Sequence, residues 1–313
     1  QADSLGGVIL FARNYTSYSQ LTELTAEIRT LSKAAVFVAV DQEGGRVVRL
    51  TGDFPVYPSP GYYGLGHDIA GLLTATARTA EHLNRLGVNL NLTPVCDLAP
   101  DDPEHVIYSR SYSADPEELA EAVRLQIECL RDQGTISCAK HFPGLASAYG
   151  DPHRTISISD QTLATFRKRD YIPFQAAVGA DVDMIMVTHL LAPQIDAGAI
   201  ATFSSIFVQQ ELREHLGFRG LVITDDLLMA GALEGLSTAE AGVRAILAGS
   251  DLLIYGNLSG SITSVIDAIV RTATSDPTLA QRLRESSIRI REFKLELLQG
   301  RGNSTDTAQG SHR

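Results

Sequence analysis

The sequence predicts an α/β fold built on a parallel sheet, on three observations. Short apolar, β-rich runs alternate with longer amphipathic stretches along almost all of the 313 residues. That is the pattern of strands buried on both faces and covered by helices. No Gly-x-Gly-x-x-Gly follows any of these runs, so the signature of an open dinucleotide-binding sheet is missing. Polar side chains capable of chemistry recur where the runs end: Arg13, Asp41 with Glu43, Asp97, Lys140 with His141, His189, and Asp225 with Asp226. A site assembled from the C-terminal ends of most strands is the arrangement a closed barrel enforces. The expected architecture is a (β/α)8 TIM barrel.

The strands follow in order. Gly7–Ala12 precedes an amphipathic stretch over Gln20–Leu31 and the continuous apolar run Ala35–Val40. Val88–Val95 comes next, then a helical pattern over Pro116–Asp132. Ile136–His141 is a strand closed by Pro143-Gly144. Asp183–His189 leads to a helix over Ile206–Leu216, Leu221–Thr224 to one over Ala239–Ala248, and Asp251–Tyr255 to one over Ile262–Thr272. The count is seven, one short of a closed barrel. The shortfall falls at the front, because Gln1-Ala2-Asp3-Ser4 runs almost directly into the first strand. The expected fold is therefore a barrel lacking its first strand in this sequence. No linker or repeat divides residues 1–298, which are read as one catalytic domain. Residues 299–313 turn Gly-, Ser- and Thr-rich without periodicity and are read as a mobile tail.

Composition narrows the function. A net charge of −11 and the lack of a basic run argue against nucleic acid as a partner. Cys96, Cys129 and Cys138 are widely spaced in apolar patterns and read as small buried hydrophobes, not as a disulfide framework or a zinc site. His141, His153 and His189 stand singly, without the His-x-His of barrel metallohydrolases, so neither a metal nor another cofactor is expected. No apolar run approaches the roughly 20 residues that span a bilayer. The chain starts at Gln1, so the N-terminus is expected to be processed or the sequence incomplete. A cytoplasmic monomer is the expectation, with an exported or lipid-anchored form as the alternative.

Three motifs carry chemistry. Lys140-His141-Phe142-Pro143-Gly144 is followed by Asp151-Pro152-His153. The residue before a proline is pushed toward extended geometry, where residues i and i+2 point the same way. Asp151 can then sit beside the imidazole of His153, fix its tautomer and favour its protonated form, as a general acid near neutral pH requires. In Asp41-Gln42-Glu43-Gly44-Gly45-Arg46-Val47-Val48-Arg49 the paired glycines permit a tight turn. Asp41 and Arg49 can then face a pocket and hold vicinal sugar hydroxyls by charge-assisted hydrogen bonds. Thr224-Asp225-Asp226 puts two acids at a strand end. Neighbours on an extended chain face opposite sides, so one is expected in the pocket and the other at the cap of the next helix. The inward carboxylate can be a nucleophile toward an anomeric carbon or a metal ligand.

In combination, KHFPG with its downstream Asp-x-His, DQEGGRVVR, GGVILFARN at 6–14, SRSY at 109–112 and VITDDLLM at 222–229 resemble glycoside hydrolase family 3. The likeness is greatest to its single-domain bacterial β-N-acetylglucosaminidase branch, and runs from about Gly6 to about Gly256. It implies an exo-acting, retaining mechanism on a (β/α)8 barrel, releasing terminal β-linked N-acetylglucosamine from peptidoglycan fragments. It assigns Asp225 as nucleophile, His153 with Asp151 as general acid/base, and Asp41, Arg49, Arg110, Lys140 and His141 as sugar-holding residues.

Three departures from the family pattern stand out. Leu145-Ala146 follows Gly144 where a His-Gly pair is usual, Pro152 replaces a small hydroxyl residue, and an opening strand and helix are missing. They motivate a competing reading, a barrel that binds a sugar or cell-wall fragment without turning it over. A β-glucosidase or a phosphorylase of the same family is a further alternative.

Overall fold

The computed structural model describes residues 5–32, 35–150, 156–233, 235–258 and 260–298. Among these there are nine strands: β1 (Gly7–Leu10), β2 (Phe37–Val40), β3 (Leu90–Asn91), β4 (Ile136–Phe142), β5 (Ser157–Ile158), β6 (Met184–Val187), β7 (Leu190–Leu191), β8 (Leu221–Asp226) and β9 (Leu252–Ile254). Seven form one parallel sheet in the order β1-β2-β3-β4-β6-β8-β9, while β5 and β7 pair separately. All seven predicted strands are present, and their sequence order is their order in space.

The helices are α1 (Tyr18–Leu31), α2 (Pro60–Leu65), α3 (Ile69–Arg85), α4 (Pro116–Asp132), α5 (Leu163–Lys168), α6 (Tyr171–Gly179), α7 (Ala230–Leu233), α8 (Thr238–Ala248), α9 (Ile262–Ser275) and α10 (Pro277–Leu298). Their starts are written in the sequence. Asp115 caps α4 by accepting from the Glu117 and Glu118 amides, with Pro116 in the first turn. Ser237 and Glu240 form a reciprocal capping box on α8. The predicted helix at 206–216 is present as Ile206–His215 with π-type hydrogen bonding.

Alternation along the strands sorts two cores. Phe37, Ala39, Leu90, Leu92, Ile136, Cys138, Met184, Met186, Leu221 and Ile223 fill the barrel interior. Ala139, Ile185, Val187 and Val222 face outward against Phe174, Phe207 and other residues of the helical layer. Cys96 and Cys138 are buried as expected; Cys129 is only partly so. The third strand is shorter than Val88–Val95 because a proline cannot donate to the ladder. The assigned strand ends at Asn91, although the Thr93 and Pro94 carbonyls still accept from the Cys138 and Lys140 amides and a single bridge joins Val95 to Lys140.

The sheet ends at β1 and β9, which are not paired to each other. Between them lies an apolar cavity of about 530 Å³, lined by Ile9, Leu252, Ile254, Val265, Ile269 and Ile290 among others. This is the open position anticipated from the count of seven. No helix among the described residues is long and apolar enough to cross a membrane.

The base of β9 is fastened by one carboxylate. Asp251 accepts from Arg213 (2.7 Å), the Val222 amide (3.0 Å), Ser286 (2.9 Å) and Arg289 (2.5 Å), joining β8, α10 and the 206–215 helix. Removing it leaves buried guanidinium groups without their counter-ion. Asp251→Ala is expected to destabilise the fold by about 3–5 kcal/mol, read as a lower urea midpoint at unchanged m-value.

Candidate active site

The C-terminal ends of the strands surround a pocket of about 530 Å³ whose lining includes Asp41, Arg49, Arg110, Lys140, His141, Leu145, Asp225 and Asp226. Six of the eight predicted site residues are thus brought to one cavity. The other two, Asp151 and His153, lie outside the described residues, as does the predicted tail 299–313. Tyr149 exchanges two backbone hydrogen bonds with Ile158.

The turn after β2 needs its glycines. Gly44 and Gly45 have positive φ, and a Cβ on Gly44 would stand 2.3 Å from the Pro58 carbonyl oxygen. The turn is pinned by Gln42, whose side-chain oxygen accepts from the Arg49 and Leu50 amides. This geometry aims Asp41 and Glu43 into the barrel. Lys140, 1% exposed, places its ammonium 2.7 Å from Asp41 Oδ1 and 2.7 Å from Glu43 Oε1. Arg110 grips Glu43 with both arms of its fork, Nε at 2.8 Å and Nη2 at 2.7 Å. Arg49 stands off, 3.5 Å from Asp41, with its Nε buried and unpartnered.

Burial alone would raise the Glu43 carboxyl, but Arg110 and Lys140 outweigh it and hold that carboxyl far below the usual carboxylate range. Burial likewise opposes the charge on Lys140, and Asp41 and Glu43 reverse this, so its ammonium stays above the ordinary lysine value.

Strand alternation would allow only one of Lys140 and His141 to face inward. Both do, because the β4–β6 register shifts between Ala139 and Phe142. The Lys140–His141 peptide bond is cis. Asp97, fully buried, accepts from His141 Nδ1 (2.7 Å), the His141 amide (3.2 Å) and the Leu145 amide (2.8 Å). His141 Nε2 faces Arg110 at 3.2 Å, and a guanidinium can only donate. Nδ1 is thus turned to Asp97 and Nε2 to the Arg110 guanidinium.

Asp225 ends β8. Its Oδ1 accepts from the Asp226 amide (2.8 Å), and its Oδ2 is 3.3 Å from the Thr188 hydroxyl. Burial pushes its carboxyl up, but His189, His141, the Asp226 amide and Lys140 prevail, and it lies below the ordinary aspartate value. The expectation that only one acid of the pair reaches the pocket needs correction. Both line it, because the β8–β9 register also shifts between Ile223 and Asp226. Their roles still differ. Asp226 does not cap a helix; its Oδ1 accepts from the Leu228 and Gly256 amides and ties the two loops together.

Sequence reasoning placed Glu43, Asp97 and His189 at strand ends but gave them no role, and it passed over Thr188. Position at a strand end was the available signal for the first three.

The matches to known proteins agree with this geometry. Residues 1–292 match the model of the glycosyl hydrolase family 3 N-terminal domain. The chain belongs to glycosyl hydrolase family 3. A β-hexosaminidase of Nitrosospira multiformis is 36% identical over 265 residues, covering 81% of this chain and 74% of that one. A β-hexosaminidase of Idiomarina loihiensis is 33% identical, with 95% and 89% covered. Among solved structures, a family 3 β-N-acetylglucosaminidase from a Paenibacillus species superposes with a TM-score of 0.89 at 28% identity. That match covers 97% of this chain and 59% of the Paenibacillus chain, so this chain spans about three-fifths of that neighbour's length. The barrel and the glycoside hydrolase class expected from the motifs are those of these relatives.

Glu43→Gln tests the buried clamp. A carboxyl depressed on folding stabilises fully above its unfolded pKa of about 4.3, and that contribution is lost as pH falls toward the folded value. The variant is expected to lose about 3–5 kcal/mol at neutral pH. Its urea stability should then vary less than wild type as pH is lowered below about 4.3.

Proposed function

We propose that this domain hydrolyses terminal β-linked N-acetylglucosamine residues by a retaining, two-step mechanism with Asp225 as nucleophile. The observation that carries the reading is Asp225 itself. It is an ionised carboxylate at a barrel strand end, oriented by Thr188 and the Asp226 amide, in a pocket shared with a dense clamp of paired charges.

Asp41, Arg49, Arg110, Lys140 and His141 offer acceptors and donors for the hydroxyls of one terminal sugar. Arg49 has capacity to spare, with one long ion pair and an unpartnered Nε. In the first step Asp225 attacks the anomeric carbon while the protonated His153, partnered by Asp151, donates to the leaving oxygen. In the second, neutral His153 takes a proton from water, which attacks the glycosyl-Asp225 ester. A histidine departs from the usual carboxylate pair, and the Asp151 partner is what suits it to the task. The β-hexosaminidase relatives and the N-acetylglucosaminidase neighbour support the sugar assignment.

The mouth of the pocket supports a carboxylate-bearing aglycone, such as a peptidoglycan fragment. Phe11 lines the pocket with the Arg13 guanidinium 4.2 Å and that of Arg49 6.0 Å from its ring centroid. Arg46, also in the lining, is held by the Val106 carbonyl.

Three outcomes are expected. Asp225→Ala should lower kcat on a chromogenic β-N-acetylglucosaminide by about a thousandfold or more, and retained turnover would remove the nucleophile assignment. His153→Ala should slow substrates with poor leaving groups far more than activated aryl glycosides; equal losses on both would mean that His153 is not the acid. Arg46→Ala should raise KM for anionic aglycones several-fold and leave neutral aryl glycosides unchanged.

A further inference from the structure

We propose that Asp97 is a positioning residue for sugar recognition: its carboxylate aims the His141 ring and, through that ring, steadies the Arg110 guanidinium in the pocket. The inference rests on the proposed role of His141 and Arg110 in holding the terminal sugar.

The geometry is a chain of short contacts that runs from the core to the cavity. Asp97 is fully enclosed, so it meets no substrate itself. Three donors from one turn converge on it. Its Oδ2 accepts from His141 Nδ1 (2.7 Å) and from the His141 amide (3.2 Å), and its Oδ1 from the Leu145 amide (2.8 Å). The Gly144 amide closes the same turn on the His141 carbonyl at 2.8 Å. One oxygen thus fixes both the backbone and the ring of His141, and a ring held at two points cannot turn freely. Its far edge, Nε2, then stands 3.2 Å from Arg110 Nη2.

A guanidinium presents five N–H groups in one rigid plane. Glu43 takes one from Nε and one from Nη2, and His141 stands against the same Nη2. Among the described residues Nη1 makes no hydrogen bond, which leaves its two protons for a ligand. Arg110 and His141 both line the pocket. With the ring loose, the fork would be braced on the Glu43 side alone. The chain Asp97–His141–Arg110 sets the direction of these donors before a sugar arrives, so binding does not have to order them.

Asp97→Asn separates the two duties of the carboxylate. The amide oxygen can still accept from the Leu145 amide. Its NH2 group, in place of Oδ2, can only donate, and it faces a His141 backbone amide that also donates. On a chromogenic β-N-acetylglucosaminide kcat/KM should fall by about ten- to a hundredfold, the worth of a hydrogen bond to a charged group. In the His141→Ala background the same change should cost less than about twofold. Equal losses in the two backgrounds overturn the proposal, because a mere anchor of the fold would act on both alike. Full kcat/KM in folded Asp97→Asn overturns it as well. Full kcat/KM in His141→Ala would instead remove the sugar-holding role of His141 on which the proposal stands.

A second measurement needs no change at Asp97. The Nδ1 proton of wild-type His141, held against a carboxylate away from water, should give a downfield ¹H NMR signal that is lost in His141→Ala. Adding N-acetylglucosamine should move that signal. A signal unmoved at saturation, or none at all, overturns the proposal.

Discussion

One ammonium shared by two carboxylates organises the site. Lys140 is almost wholly enclosed, and an enclosed charge is tolerated only with close partners and satisfied protons. Asp41 and Glu43 meet that demand from the turn after β2, and Arg110 completes it from the loop ahead of α4. Three separate strand ends are thereby locked to one another before any sugar arrives. The residues proposed to hold sugar hydroxyls do not have to be ordered by binding, which spares the entropy that would otherwise oppose it.

The charges of the cavity fall into separate compartments. The Lys140–Arg110 cluster and the Asp97–His141 pair meet only through the Arg110–His141 contact, and neither makes an ion pair with Asp225 among the described residues. Such separation lets one carboxylate, Asp225, stay ionised and half-buried without being neutralised by a direct ion pair. A carboxylate tied up in a fork with arginine, as Glu43 is, would be a poor nucleophile. Among the described residues Asp225 receives hydrogen bonds only from an amide and a hydroxyl.

Most of the fold was legible in the sequence because a barrel strand is a continuous apolar run with a polar residue at its end. All seven runs became strands, and Pro116–Asp132 became a helix over the same residues. The shortened third strand was readable in principle from Pro94, which has no amide to donate. The site was legible as a set of residue types but not as a geometry. Alternation says that Lys140 and His141 point apart, and that Asp225 and Asp226 do. Two register shifts overrule this, and no local propensity announces them. The partnership of Glu43 with Arg110, 67 residues away, also depends on how two loops meet. The hydrogen-bond environment of His189 required Thr202, thirteen residues downstream on a separate turn.

Asp97 reaches the loop after β4 through the main-chain amide of Leu145, not through its side chain. Any residue except proline supplies that amide, so the loop can be anchored identically whatever sits at this position. The departure from the usual histidine there does not undo the anchor. What it changes is wetness: an aliphatic group now forms part of the cavity wall beside His141. A drier wall strengthens every electrostatic contact across it and leaves fewer stray waters to compete for the nucleophile.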